Sequence, residues 1–138
     1  MINLTIPIEP VAAGRPRFNR NGHAYDPKKS RAFKNQVRST VKFLYRKEPI
    51  KDKPIEVYIA FYRSIQSSVS KKEHDRRANH EHMPIKKPDT DNYIKSILDA
   101  LNKVLWADDN LIVHIDAYKY YDDDPRIEIN VREWNKNV

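Results

Sequence analysis

Between Asn92 and Leu105 the apolar residues Ile94, Ile97, Leu98, Leu101, Val104 and Leu105 recur at three- and four-residue steps. That period fills one stripe of an α-helix and fits no strand. A helix patterned this way must bury its stripe, and the flanking chain offers strands to receive it. Pro54 to Arg63 is strongly β-prone, Ile2 to Ile8 alternates with Pro7 favouring a sheet edge, and Leu111–Tyr121 and Arg126–Trp134 read as strands. Asp122-Asp123-Asp124-Pro125 reads as a hairpin connection between the last two.

A second helix is expected from Asp26-Pro27 to about Lys47, with Asp26 as N-cap and Pro27 at the first helical position. Its stripe is Phe33, Val37, Val41 and Leu44, and Lys28, Lys34, Arg38, Lys42 and Arg46 occupy much of the remainder. Val11 to Tyr25 has no helical period, holds Gly14, Pro16 and Gly22, and is expected to be a loop. Ser67 to Lys87 has almost no large apolar residue. Ser70 and Glu73 match a capping box, so a short polar helix can begin there, in a segment expected to stay mobile until something binds it. The fold class that follows is α/β (α+β), a small mixed sheet of about four strands with two to three helices, as one domain over residues 1–138.

The chain has no cysteine, which excludes disulfides, thiol catalysis and Cys-based zinc sites. No segment approaches a membrane span or a signal peptide, so a soluble, cytoplasmic protein is expected. Charge is divided along the chain. Residues 1–88 hold 20 Lys and Arg against 8 Asp and Glu, a net of +12, while residues 89–138 hold 6 against 11, a net of −5. The basic part suits a polyanion such as nucleic acid, although a merely solvated surface would look the same. Clustered acids would repel that polyanion unless a cation lay among them.

The acids are well placed for a cation. Lys87-Pro88-Asp89-Thr90-Asp91-Asn92 lies where an extended segment meets a helix start, so two carboxylates one residue apart can converge. Asp91 falls on the shoulder of the apolar stripe, about 75° from its centre at about 100° per residue. Lys95 lies one turn further on, and Asp108-Asp109 can fold back toward the helix. Hydrolysis of a phosphodiester suits Mg²⁺ held by a few carboxylates, with a lysine to stabilise developing charge. An Asp-x-Asp alone is weak, because Asp91 as N-cap and Asp89 as a loop residue would read identically.

The longer string is more specific. Lys87-Pro88-Asp89-Thr90-Asp91-Asn92-Tyr93-Ile94-Lys95, Leu98-Asp99-Ala100-Leu101-Asn102, Asp108-Asp109-Asn110-Leu111-Ile112 and Gly14-Arg15-Pro16-Arg17-Phe18 together resemble the RusA family of Holliday-junction resolvases, over essentially the whole chain. The resemblance implies a homodimeric, Mg²⁺-dependent endodeoxyribonuclease, with Mn²⁺ able to substitute. It would place paired symmetric nicks across four-way DNA junctions in recombination and repair. Position by position it makes Asp89, Asp91 and Asp109 the metal ligands and Lys95 the catalytic lysine, with the role of Asp108 open. Where the family often has Gly after Leu-Asp-Ala-Leu-Asn, this chain has Lys103.

Arg15, Arg17 and Arg20, followed by Lys28 and Lys29, are candidate phosphate clamps. Lys71, Lys72, Arg76, Arg77, Lys86 and Lys87 are a second DNA-binding group, a gripping arm leading into the Asp pair. His74, His80 and His82 could suggest zinc, but no cysteine joins them. Asp122 to Asp124 fit an exposed turn better than a metal site, and Asp99 is expected outside the metal shell. Tyr58, Phe61, Tyr62, Tyr118 and Tyr120 fit core and sheet surface better than base stacking. Other classes that share these features are a non-catalytic structure-specific DNA-binding module, a less selective flap or RNA nuclease, and a nucleotidyl- or glycosyltransferase. Two glycines in the chain argue against the last.

Overall fold

The computed structural model describes residues 1–15, 17–25 and 27–136. In chain order these form β1 (Ile2–Ile6), β2 (Arg17–Phe18), β3 (Ala24–Tyr25), α1 (Lys28–Leu44), β4 (Ile55–Ser64), α2 (Lys71–Ala78), α3 (Thr90–Leu101), a 3₁₀ turn (Asp109–Leu111), β5 (Ile112–Asp122) and β6 (Arg126–Glu133). The four-stranded sheet runs β1-β6-β4-β5, with β4 parallel to β5 and antiparallel to β6. The mixed α+β architecture is the one the sequence implies.

The hairpin is not. β5 and β6 are not neighbours, because β4 lies between them. Burial explains the order. β4 buries Ile55, Val57, Ile59, Ala60 and Phe61 and takes an interior place, whereas β5 exposes Val113, Ile115 and Tyr118 and takes the edge. The connection after Asp122 steps across the end of β4, about 10 Å for two strand spacings, within reach of a few extended residues. Arg126 marks the crossing, its guanidinium 3.9 Å from the Tyr62 ring centroid. β1 lies at the opposite edge and stops before Pro7, as an edge strand can.

α1 and α3 cover one face of the sheet. Phe33, Val37 and Val41 of α1 and Tyr93, Ile97, Ala100 and Leu101 of α3 join Ile6, the inward residues of β4, and Ile127, Ile129 and Val131 in one core. Phe61 stacks on Tyr93 with centroids 5.3 Å apart. Arg38 ties the helices together, donating to the carbonyls of Asp99 at 3.0 Å and Ala100 at 3.1 Å, which a helix C-terminus leaves open. On the uncovered face, Tyr62 stacks with Tyr120 and Tyr118 with Tyr120, so these tyrosines belong to the sheet surface as expected.

Several boundaries differ from the sequence reading. α1 ends at Leu44, which is exposed, instead of near Lys47. Pro27 stands at its N-cap rather than inside it, and the expected cap Asp26 lies outside the described residues, as does Pro16. The 11–25 segment contains the β2–β3 ribbon, closed by a turn in which Asn19 Oδ1 accepts from the N–H groups of Asn21 and His23. α3 ends at Leu101 although the apolar period continues. Lys103 takes a left-handed φ of 69°, and its N–H donates to the Trp106 carbonyl at 2.7 Å. The turn buries Val104, Leu105 and Trp106, and it bridges to Ile50.

α2 forms with the expected cap, Ser70 Oγ accepting from the Glu73 N–H at 3.2 Å. It has no buried residue. Polar contacts join it to the end of β5, including His74 Nε2 to Asp123 at 2.6 Å and the Arg77 guanidinium 4.4 Å from the Tyr121 ring centroid.

Candidate active site

α3 begins where a clasped segment ends. Lys119 Nζ donates to the carbonyls of Lys86 at 3.1 Å and Pro88 at 2.9 Å, and Arg63 donates to that of Lys87 at 3.1 Å. The Lys87–Pro88 peptide is cis. Lys119 pairs in register with Phe61, and Arg63 with Tyr121, so both cations share the face of buried residues. Sequence reasoning missed both. Their signal was strand parity, a charged residue falling on the inward side of each strand.

Asp89 occupies the N-cap of α3, but its carboxylate caps nothing. Its carbonyl instead accepts from the N–H groups of Asn92 and Tyr93. Asp91, in the first turn, is exposed. Among the described residues, neither carboxylate has a hydrogen-bond or ion-pair partner. The capping explanation therefore does not use them up, and both sit where the helix dipole favours negative charge. Lys95 follows one turn later, also exposed and unpaired among the described residues.

Asp109 is fixed separately. The fully buried Trp106 donates its indole N–H to Asp109 Oδ1 at 2.6 Å. The Asp109 carboxyl is pushed above the usual range: burial is the largest cause, the Trp106 hydrogen bond opposes it, and the charges of Asp99 and Asp108 add to the rise. Asp99 itself pairs with Lys34 at 3.5 Å, and Asp108 caps the 3₁₀ turn through the Asn110 N–H. Trp106, which sequence reasoning did not single out, thus holds the Asp109 carboxyl in place.

Among the described residues no group of three Asp, Glu or His side chains stands together as a metal site. The donors nevertheless fit a hard cation in kind. They are all carboxylates, two of them uncommitted and one penalised as an anion where it stands. Mg²⁺ commonly uses one or two carboxylates and completes its shell with water and substrate phosphate. The histidines do not assemble: His74 pairs with Asp123, His80 with Asp122 at 3.6 Å, and His82 with Glu73 at 2.6 Å.

The basic candidates differ in exposure, and Arg76 is half-buried in α2. Arg15, Arg17, Arg20, Lys71, Lys72, Lys86 and Lys87 are exposed. Arg77 is instead engaged with Glu73 at 3.1 Å and with Tyr121, so it serves α2 itself. The arginine loop is tied to the carboxylate turn, the Ala13 N–H donating to the Asn92 carbonyl at 3.1 Å. No helix is long and apolar enough to cross a membrane among the described residues.

The family model of endodeoxyribonuclease RusA matches residues 7–132. A Bacillus subtilis (strain 168) protein described as uncharacterized, YqaN, is 40% identical over 137 residues, covering 96% of each chain.

Proposed function

The chain belongs to the RusA endodeoxyribonuclease family, and on that premise we propose that it is a Mg²⁺-dependent endonuclease that resolves four-way DNA junctions by paired symmetric nicks. The observation carrying this reading is the first turn of α3, where Asp89 and Asp91 are exposed and unspent by capping while Lys119 and Arg63 hold the backbone before them. Asp89, Asp91 and Asp109 would hold the ion. When bound, Mg²⁺ neutralises charge on the scissile phosphate and acidifies a water for in-line attack.

The chain's own groups do the rest. Lys95 places an ammonium where negative charge accumulates on the phosphate. Trp106 keeps one oxygen of Asp109 fixed and would thereby orient that carboxyl as a ligand. Arg15, Arg17, Arg20, Lys71, Lys72, Lys86 and Lys87 grip the backbone without reading bases. A homodimer supplies the second cut, since the junction is two-fold symmetric.

The test is a labelled immobile junction and a matched linear duplex, each with Mg²⁺ and with EDTA. Nicks near the branch point, on the junction alone and only with Mg²⁺, are expected. Asp91→Asn should abolish cleavage and leave junction binding intact or tighter. Tight binding by the wild type with no product under any condition would make it a binding module, and normal cleavage by Asp91→Asn would remove that residue from the site.

A further inference from the structure

Beside the start of α1 lies a cleft of about 340 Å³ that contains none of the carboxylates, with Gly14, Arg15, Arg17, Pro27, Lys29 and Ser30 in its wall. Several independent features make it receptive to an anion. α1 is 17 residues long, and its first backbone bond runs from the Arg31 N–H to the Pro27 carbonyl at 3.0 Å. The N–H groups of Lys28, Lys29 and Ser30 therefore have no acceptor within the helix. Pro27 offers no side-chain acceptor, and the first turn has no acidic residue. Such a turn favours negative charge.

Ser30 supplies the second observation. It is only 2% exposed, and its hydroxyl has no hydrogen-bond partner among the described residues. A buried hydroxyl left unpaired is rare and calls for a ligand or water. Arg15, Arg17 and Lys29 line the same cleft with no ion pair among the described residues. Gly14 makes the closeness possible: a Cβ there would lie 2.7 Å from Pro27 Cγ.

We propose that this cleft binds a single phosphate group of a nucleic-acid backbone. Backbone N–H groups at the start of α1 and the Ser30 hydroxyl donate to its oxygens, and Arg15, Arg17 and Lys29 supply the countercharge. The link from Ala13 to Asn92 holds the cleft's loop against the first turn of α3. A strand whose scissile phosphate meets Asp89 and Asp91 thus lays a nearby phosphate in the cleft, which fixes the register of the cut. The choice of nucleic acid as the phosphate's source rests on the nuclease reading, whereas the anion chemistry does not.

The experiment uses the full chain in EDTA, so it is independent of catalysis. Inorganic phosphate is titrated against amide chemical shifts, with sodium chloride at matched ionic strength as control. Saturable shifts at Gly14, Lys28, Lys29 and Ser30 are expected with phosphate and not with chloride. Ser30→Ala should weaken phosphate at least threefold while leaving thermal stability unchanged or raised, because it deletes an unpaired hydroxyl. Arg15→Gln with Lys29→Gln should weaken it tenfold or more and lower the salt slope of duplex binding by about one to two phosphates. A single methylphosphonate near the cut should weaken binding of wild type but not of that double variant.

Shifts that are linear, spread over the basic surface or reproduced by chloride would overturn the proposal. So would unchanged shifts at the start of α1, which would show that the turn takes no phosphate. Saturable phosphate binding without any effect on DNA binding would keep the anion site and overturn its assignment to a nucleic-acid backbone. Loss of junction cleavage in wild type would fault the nuclease reading and leave these outcomes unaffected.

Discussion

Lys103 shows how one residue records a conflict between sequence and backbone. It closes the turn after α3 with a φ of 69°, where a side chain is crowded and glycine is not. The position is the one where the resembling family often carries glycine, and the sequence alone gives no reason for that preference. Lys103→Gly should relieve about 1 kcal/mol of strain, after the extra chain entropy glycine loses on folding, and raise Tm by about 3–5 °C. Urea and thermal unfolding measure this directly, and an unchanged or lower Tm would show that Lys103 pays for its conformation through its side chain. Asp89 and Asp91 were visible in the sequence because their string is distinctive. Trp106, Lys119 and Arg63 were not singled out, because their partners, a carboxylate or backbone carbonyls, are supplied only by the folded chain.

At the scale of elements, period and parity were enough to place α1, α3, β1, β4, β5 and β6, whose apolar faces meet in one core. Strand order was not legible. It depends on which strand can be buried most completely, a comparison between elements that no single segment contains. The arrest of α3 at Leu101 was hidden for the same reason, since Val104 and Leu105 keep the period while the turn delivers them to the core.

α2 is a different kind of element, with no buried residue to hold it. Its link to Asp123 runs through His74, whose pKa is raised chiefly by the hydrogen bonds it donates to the Asp123 and Asp75 carboxylates, against a smaller opposing effect of burial. A histidine with a raised folded value stabilises its contact fully below the free value of about 6.5, and the contribution is lost as pH rises through the raised value. Hydrogen exchange of α2 amides, corrected for intrinsic rates, should therefore show more protection at acidic than at alkaline pH. His74→Gln should flatten that difference. Equal pH dependence in the variant would assign the effect to groups other than His74.

Over the whole molecule, the chain keeps a basic N-terminal part and an acidic C-terminal part, yet the fold brings the arginine loop against the acidic turn through Ala13 and Asn92. Opposite charges meeting there without direct pairing among the described residues suit a substrate that needs both, phosphates for the arginines and a cation for the acids. Without a cation, the same carboxylates oppose the DNA that the basic residues attract. Each charge of like sign several ångströms from a phosphate costs about 0.5–1 kcal/mol in a watery site, about two- to fivefold in affinity. In EDTA, wild type should thus bind a four-way junction at least fivefold more weakly than the double variant Asp89→Asn, Asp91→Asn, measured by anisotropy at fixed ionic strength. Adding Ca²⁺, which takes the same oxygen ligands, should close most of that gap by tightening wild type alone. Equal affinities in EDTA would place the two carboxylates away from the DNA path, and the nuclease site would have to be sought elsewhere on the fold.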